Sequence, residues 1–125
     1  MSLDAIGIVS NNLEKSVQFY KIFGVDLVEA GGPDHLEGKT KSGVRIMVDS
    51  VELIKKINPS WVEPTGSGMI LCFKQESAKD VNALFATVID AGFHSIKEPW
   101  DAFWGQRYSS VQDPDGNQID IFATL

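Results

Sequence analysis

The sequence predicts an α+β protein built from two successive βαβββ repeats. Two observations support this prediction. Short apolar runs between turn residues mark strands, and two segments carry apolar residues at helical spacing. The same order of elements then occurs twice along the 125 residues. Because each half alone would bury too little apolar surface, we expect one domain over residues 1–125, with repeats at 3–50 and 68–125 and a linker at 51–67.

The first repeat begins with a mostly apolar strand from Leu3 to Ser10, followed by a helix that Asn11 or Asn12 caps. Gly24 ends this helix, whose apolar positions recur every three or four residues: Leu13, Val17, Tyr20 and Phe23. Three strands are predicted to follow, separated by glycine-containing turns: Val25–Ala30, His35–Thr40 and Val44–Asp49.

A short stretch from Val51 to Ile57 has room for one or two helical turns, and the rest of the linker is rich in turn residues. The second repeat begins with a strand from Met69 to Lys74. A capping box of Ser77 and Asp80 then starts a helix that Gly92 ends. The last three predicted strands are His94–Glu98, Arg107–Gln112 and Gln118–Ala123.

The amino-acid composition narrows the range of partners and cellular locations to be expected. The apolar fraction of 43% with 22% charged residues is typical of a folded globular chain. A net charge of −6 disfavours nucleic acid and anionic membranes as partners, and no apolar run is long enough to span a bilayer. Cys72 is the one cysteine and is expected to be a packed thiol in an apolar strand. With no basic and apolar leader pattern, we expect a cytoplasmic protein.

Two motifs carry a family resemblance. The segment 13–20, LEKSVQFY, resembles the first helix of the vicinal oxygen chelate superfamily, which includes glyoxalase I, bleomycin-resistance proteins and extradiol dioxygenases. The segment 113–122, DPDGNQIDIF, resembles the C-terminal signature of the same superfamily. The resemblance covers essentially the whole chain. It implies that each half curls its mixed sheet into a cup, so that two half-barrels line one ligand cleft.

The resemblance also implies where a metal would bind. Enzymes of the superfamily hold a divalent ion through one residue on the first strand and one on the last strand of each half. The corresponding residues here are Ala5, Met47, Ile70 and Asp120. Only Asp120 offers a hard ligand atom, and one carboxylate with one thioether makes no plausible zinc, iron or manganese site. We therefore predict no metal and no other cofactor.

A relocated metal site remains an alternative. His35 and Glu37 would share one strand face, and His94 and Glu98 lie close together in sequence. Histidines near turns are more often surface or hydrogen-bonded residues than metal ligands. No nucleophile elbow or phosphate-binding glycine loop is present either, so the sequence assigns no catalytic residue.

Strand alternation predicts the residues that line the cleft. Asp120 and Phe122 would share one face of the last strand, and Arg45 and Met47 one face of the fourth. Further candidates lie in a predicted loop that runs into a strand: Trp100, Phe103, Trp104, Arg107 and Tyr108.

Aromatic residues in a loop either fill the bottom of the half-barrel or serve a ligand or partner. Aromatic groups beside a carboxylate suit a flat and preferably cationic molecule, with Asp120 as the charge partner unless Arg45 or Arg107 already neutralises it.

We therefore predict a metal-independent small-molecule-binding protein of the glyoxalase/bleomycin-resistance type that sequesters an aromatic or cationic antibiotic. The alternatives are a lyase, isomerase or dioxygenase-like enzyme with a non-standard active site, and a subunit or sensor without turnover. The aromatic-rich surface and the pattern of the resembling family also predict a homodimer.

Overall fold

The computed structural model describes residues 1–66 and 68–125. The chain divides into two compact units, residues 1–64 and residues 65–125. The boundary between the units falls inside the predicted linker, and Ser67, the last linker residue, lies outside the described residues. Within the described ranges, no helix is both long and apolar enough to cross a membrane.

The first unit is a four-stranded mixed sheet with two helices. Its elements are β1 (Ala5–Ser10), α1 (Leu13–Ile22), β2 (Val28–Glu29), β3 (His35–Lys39), β4 (Arg45–Ser50) and α2 (Val51–Ile57). The strand order is β1-β4-β3-β2, with β1 parallel to β4 and the other pairs antiparallel.

The second unit repeats this topology. Its elements are β5 (Ile70–Lys74), α3 (Ala78–Asp90), β6 (Ser95–Ala102), β7 (Gln106–Gln112) and β8 (Gln118–Thr124). The strand order is β5-β8-β7-β6, again with the first pair parallel and the others antiparallel. The predicted α+β fold with two βαβββ repeats is confirmed.

Side-chain caps start the helices where the sequence predicts them. The Asn12 side chain accepts a hydrogen bond from the Lys15 amide at 3.1 Å, so Asn12 rather than Asn11 caps α1. The Ser77 hydroxyl accepts from the Asp80 amide at 3.2 Å and donates to the Asp80 carboxylate at 2.9 Å. Each cap satisfies an amide that has no partner within its helix.

Burial alternates along the last strand of each unit. Ile46 and Val48 are buried on β4, and Ile119 and Ile121 are buried on β8, whereas most of their neighbours in sequence are more open. The exception is Asp120, which is buried although it faces the other way. The alternation leaves one face of each sheet for the core and one face for polar and aromatic side chains.

The predicted second strand, Val25–Ala30, is mostly wrong, because only Val28 and Glu29 pair with β3. Val25 and Leu27 are buried but lie before this strand, and the Val25 amide bonds the Tyr20 carbonyl behind α1. An apolar pattern marks these residues as buried, but the same pattern does not reveal whether a neighbouring strand pairs with them.

The predicted boundary of the sixth strand is also wrong. β6 continues through Pro99 to Ala102, so Trp100 lies in a strand, and only the turn at 103–105 remains of the predicted aromatic loop. Pro99 has no backbone amide to donate, but β6 is an edge strand, where a missing amide donor can be tolerated. The register of β6 against β7 shifts on both sides of Lys97.

Candidate functional site

One face of the second sheet carries four of the nine sequence-predicted site residues. We call it the aromatic face, meaning the sheet surface that bears Trp100, Tyr108, Asp120 and Phe122. The opposite face packs toward α3, whose Asn82 is bonded to Arg107 of β7. Cross-strand register places two rows of side chains next to each other on the aromatic face. One row is Cys72, Asp120, Ser110 and Lys97, and the other is Lys74, Phe122, Tyr108 and Trp100.

The aromatic rings form a continuous series of contacts. Trp104 meets Phe103, Trp100 and Tyr108 edge to face, at centroid distances of 4.9, 5.6 and 5.4 Å. Tyr108 and Phe122 stack at 5.8 Å with an interplanar angle of 24°. Phe103 and Trp104 at the β6–β7 turn are 92% and 49% exposed, so the series runs from solvent to the sheet. Such a series offers a planar ligand several stacking positions.

Asp120 is enclosed by three neutral hydrogen-bond donors. Its Oδ2 accepts from the Tyr108 hydroxyl at 2.7 Å, and its Oδ1 accepts from the Ser110 hydroxyl at 2.7 Å and from Gln118 Nε2 at 3.0 Å. The residue is only 5% exposed. Three donors offset much of the cost of burying this carboxylate, and they hold it in one orientation.

The protonation states of Tyr108 and Cys72 follow from this environment. Burial, followed by the hydrogen bond to Asp120, raises the pKa of Tyr108 far above its usual value, so the phenol stays protonated. Burial and the nearby Asp120 charge also raise the pKa of the Cys72 thiol. The expectation that Cys72 is packed away was wrong, because its residue is exposed on the edge strand β5. Its raised pKa nevertheless makes it a poor nucleophile.

The aromatic face carries exposed positive charge. The Lys97 ammonium lies 4.5 Å from the centroid of the Trp100 ring, a cation–π geometry. Lys74 is exposed at the other end of the aromatic row, next to Phe122 in register.

Arg107 lies on the other side of the sheet from Asp120. Its Nε donates to Asp101 at 2.6 Å and its Nη1 donates to Asn82 of α3 at 2.8 Å. These groups line an open cavity of about 520 Å³, together with Phe85, Glu98, Pro99 and Trp100. Arg107 therefore does not neutralise Asp120, which was one of the alternatives that the sequence left open.

The first unit holds the other two predicted site residues. Arg45 and Met47 lie on the half-buried face of β4, where the Arg45 guanidinium donates to Glu37 and, at 2.6 Å, to Asp4. These bonds raise the pKa of Arg45, chiefly through Asp4, and the bond to Arg45 lowers the pKa of the Asp4 carboxyl. The shared cleft that the resemblance implies concerns both units together and stays a prediction.

His35 joins the same network. Its Nδ1 donates to Asp49 at 2.5 Å and its Nε2 donates to Glu37 at 2.8 Å. The bonds to Asp49 and then to Glu37 raise the pKa of His35, and the bond to His35 lowers the pKa of Glu37. Because both ring nitrogens serve as donors, the imidazole has no lone pair left for a metal.

The donor chemistry does not fit the divalent ion of the superfamily's enzymes. Ala5 and Ile70 have no ligand atom, Met47 offers only a thioether, and both oxygens of Asp120 already accept hydrogen bonds. Across residues 1–66 and 68–125, no three His, Cys, Asp or Glu side chains are grouped so that they could hold a metal. Of the relocated candidates, His35 and Glu37 belong to the first unit, where the His35 ring bonds Glu37 and Asp49, and His94 and Glu98 belong to the second.

Comparison with known proteins identifies the family. The family model described as the Glyoxalase/Bleomycin resistance protein/Dioxygenase superfamily matches residues 2–121, so the chain belongs to that superfamily. No curated protein matches the sequence.

Several solved structures share the fold. A glyoxalase/bleomycin resistance protein/dioxygenase family enzyme from Burkholderia phytofirmans PsJN is 22% identical, with 100% of both chains covered and a TM-score of 0.89. A glyoxalase-related enzyme from Fulvimarina pelagi is 21% identical over 98% of this chain and 88% of its own, with a TM-score of 0.84. A protein from Nocardioides with the same family description is 22% identical over 100% and 84%, with a TM-score of 0.80. At these identities the likeness shows the fold alone.

Sequence reasoning missed three residues of the aromatic face. Alternation along β8 puts Gln118 on the same face as Asp120, but the pattern does not reveal the hydrogen bond between them. Alternation along β7 could have found Ser110 in the same way. Lys97 was beyond this reasoning, because the register shifts of β6 interrupt the alternation that would predict its face.

Proposed function

We propose that this protein binds a planar aromatic small molecule on the aromatic face, without a metal, and sequesters it without turnover. The observation that carries the proposal is the continuous series of ring contacts from Phe103 at the surface through Trp104 and Tyr108 to Phe122. Aromatic side chains that line a ligand site gain both buried area and ring–ring contact when a flat molecule stacks on them. An aromatic antibiotic is one ligand of this class.

The chemistry around Asp120 favours binding over catalysis. A carboxylate can only accept hydrogen bonds, so the Tyr108 hydroxyl must donate its proton to Asp120. The Tyr108 proton is therefore engaged by Asp120 and does not point at a substrate, and the raised pKa of Tyr108 prevents it from acting as a base near neutral pH. The alternative of a lyase or isomerase would need one of these groups to be released first.

Tryptophan fluorescence tests the proposal directly. The chain has three tryptophans, so replacing Trp61 by Phe leaves Trp100 and Trp104 as the two emitting indoles. We expect uncharged planar ligands such as 2-naphthamide to quench this emission with saturable, one-to-one binding. Trp104→Leu should weaken binding by about 1 kcal/mol, since one ring–ring contact with its buried area is lost.

The same experiment separates sequestration from turnover. After long incubation, we expect mass spectrometry to recover each bound ligand unchanged. Appearance of a product would support the enzyme alternative. If no planar aromatic compound quenches the Trp61→Phe protein, the binding proposal is wrong.

A further inference from the structure

We propose that Lys97 is a specificity-determining residue of the aromatic face and selects aromatic ligands that carry a negative group, such as a carboxylate or phenolate. This inference rests on the proposed function and assigns a charge class to its ligand. It differs from the cationic preference that the sequence suggests through Asp120, and the two hypotheses predict opposite orders of affinity.

The accessible charges on the aromatic face are positive. Asp120 is 5% exposed and both its oxygens are engaged by neutral donors, so a ligand cation would have to displace one of them to reach it. Lys97 and Lys74 are exposed at opposite edges of the same face. A ligand arriving from solvent therefore meets ammonium groups before it meets the carboxylate.

Lys97 has no carboxylate partner among the described residues. The ion pairs there are formed by His35, Arg45 and Arg107. The two acidic residues closest to it along β6 face elsewhere. Asp101 is bonded to Arg107, and Glu98 lines the cavity beside α3. A ligand anion would therefore give the Lys97 ammonium a charge contact that no carboxylate of the protein provides, and this contact would strengthen ligand binding.

Trp100 holds the ammonium where it can act on a stacked ligand. The Nζ atom lies 4.5 Å from the Trp100 ring centroid, and Trp100 is the register partner of Tyr108, which stacks on Phe122. A ligand ring on this row would lie beside the ammonium, so an anionic substituent could pair with Lys97. A cationic ligand would instead compete with Lys97 for the Trp100 face and would meet its charge.

Three matched probes test the inference on the Trp61→Phe protein: 2-naphthoate, its neutral counterpart 2-naphthamide, and 2-naphthylmethylammonium. We expect naphthoate to bind roughly three- to tenfold more tightly than naphthamide, the range of a partly exposed charge contact. The cation should bind more weakly than both. The advantage of naphthoate should shrink between 50 and 500 mM salt, conditions chosen for the assay, because added salt screens exposed charges.

Variants assign the effect to this lysine. Lys97→Met should remove the advantage of naphthoate while keeping naphthamide binding, and Lys97→Arg should retain that advantage. Lys79→Met makes the same change in net charge on α3 and should leave all three affinities unchanged.

The outcomes separate the two proposals. Equal affinities for naphthoate and naphthamide, or an advantage that survives in Lys97→Met, would overturn the role of Lys97 while leaving aromatic binding intact. Tightest binding by the cation, lost in Asp120→Asn, would overturn it in favour of the Asp120 hypothesis. Absence of binding by all three probes would remove the proposed function itself.

Discussion

At the scale of single residues, hydrogen bonding assigns a charge to His35. Asp49 and Glu37 each accept a bond from a different ring nitrogen, and a neutral imidazole has only one N–H to donate. The residue is therefore an imidazolium in this arrangement, which agrees with its raised pKa. Sequence spacing predicted that His35 and Glu37 share one strand face. It did not predict Asp49, which lies beside His35 because the two residues are paired across β3 and β4.

This geometry predicts that stability falls as the pH rises. Because the folded pKa of His35 lies above the unfolded value near 6.5, the contribution of the network is fully present below about pH 6.5 and is lost as the pH passes the folded pKa. The loss amounts to roughly 1.4 kcal/mol for each unit of pKa difference. Urea unfolding at a series of pH values measures it.

His35→Gln should remove this pH dependence, and the exposed second histidine provides the matched control, since His94→Gln should keep it. A wild-type stability that stays level or rises from pH 6 to 9, pH values chosen for the assay, would contradict the assignment of an imidazolium.

At the scale of elements, a close approach ties β3 to the chain that follows α1. A Cβ atom on Gly38 would lie 2.7 Å from the Asp26 carbonyl oxygen and 2.7 Å from Val25 Cγ1. The first of these atoms is backbone, which cannot rotate out of the way. The unpaired segment before β2 thus packs on β3 at a position that only glycine can occupy without movement.

We expect Gly38→Ala to destabilise the protein by about 1–3 kcal/mol, the usual cost of forcing extra volume into a packed site. Gly7→Ala on β1 is the matched control, because nothing lies within 4 Å of its added Cβ. That variant should change stability by less than about 0.5 kcal/mol. Thermal or urea unfolding of both variants makes the comparison, and similar losses in the two would show that the contact at Gly38 is unimportant.

At the scale of the whole molecule, the residues at the four family positions predict that the protein purifies without a stoichiometric metal. Three of these positions, Ala5, Met47 and Ile70, offer no hard ligand atom. Elemental analysis after purification without chelators should find far less than one zinc, nickel, manganese or iron per chain. A value near one metal per chain would contradict the prediction. Titration of the four metals with calorimetry should likewise give no tight binding.

A homodimer remains a prediction at the same scale. Phe103, Trp104 and Leu125 are exposed, and the Leu125 amide bonds the carbonyl of Gly105 in the β6–β7 turn, so these apolar side chains come from adjoining segments. A second copy that covers this surface would remove apolar area from water. Light scattering should give a mass twice that of the 13.7 kDa chain. The Phe103→Asp variant should have a lower mass, closer to that of the single chain. A monomer mass that does not change with concentration would refute the dimer.

The sequence by itself determined the order of the elements, the cap at Ser77 and the family, because caps, periodicity and turn motifs act over a few residues and can be read locally. For α1 it narrowed the cap to Asn11 or Asn12, and the structure decided for Asn12. Alternation along β8 likewise placed Asp120 and Phe122 on one face. Tertiary structure decided which groups meet across strands. Register brought Tyr108 and Ser110 to Asp120, the edge position of β6 let Trp100 join a strand past Pro99, and the register shifts around Lys97 brought its ammonium over Trp100. Such contacts depend on pairing between distant segments, and no local pattern along one strand specifies its partner.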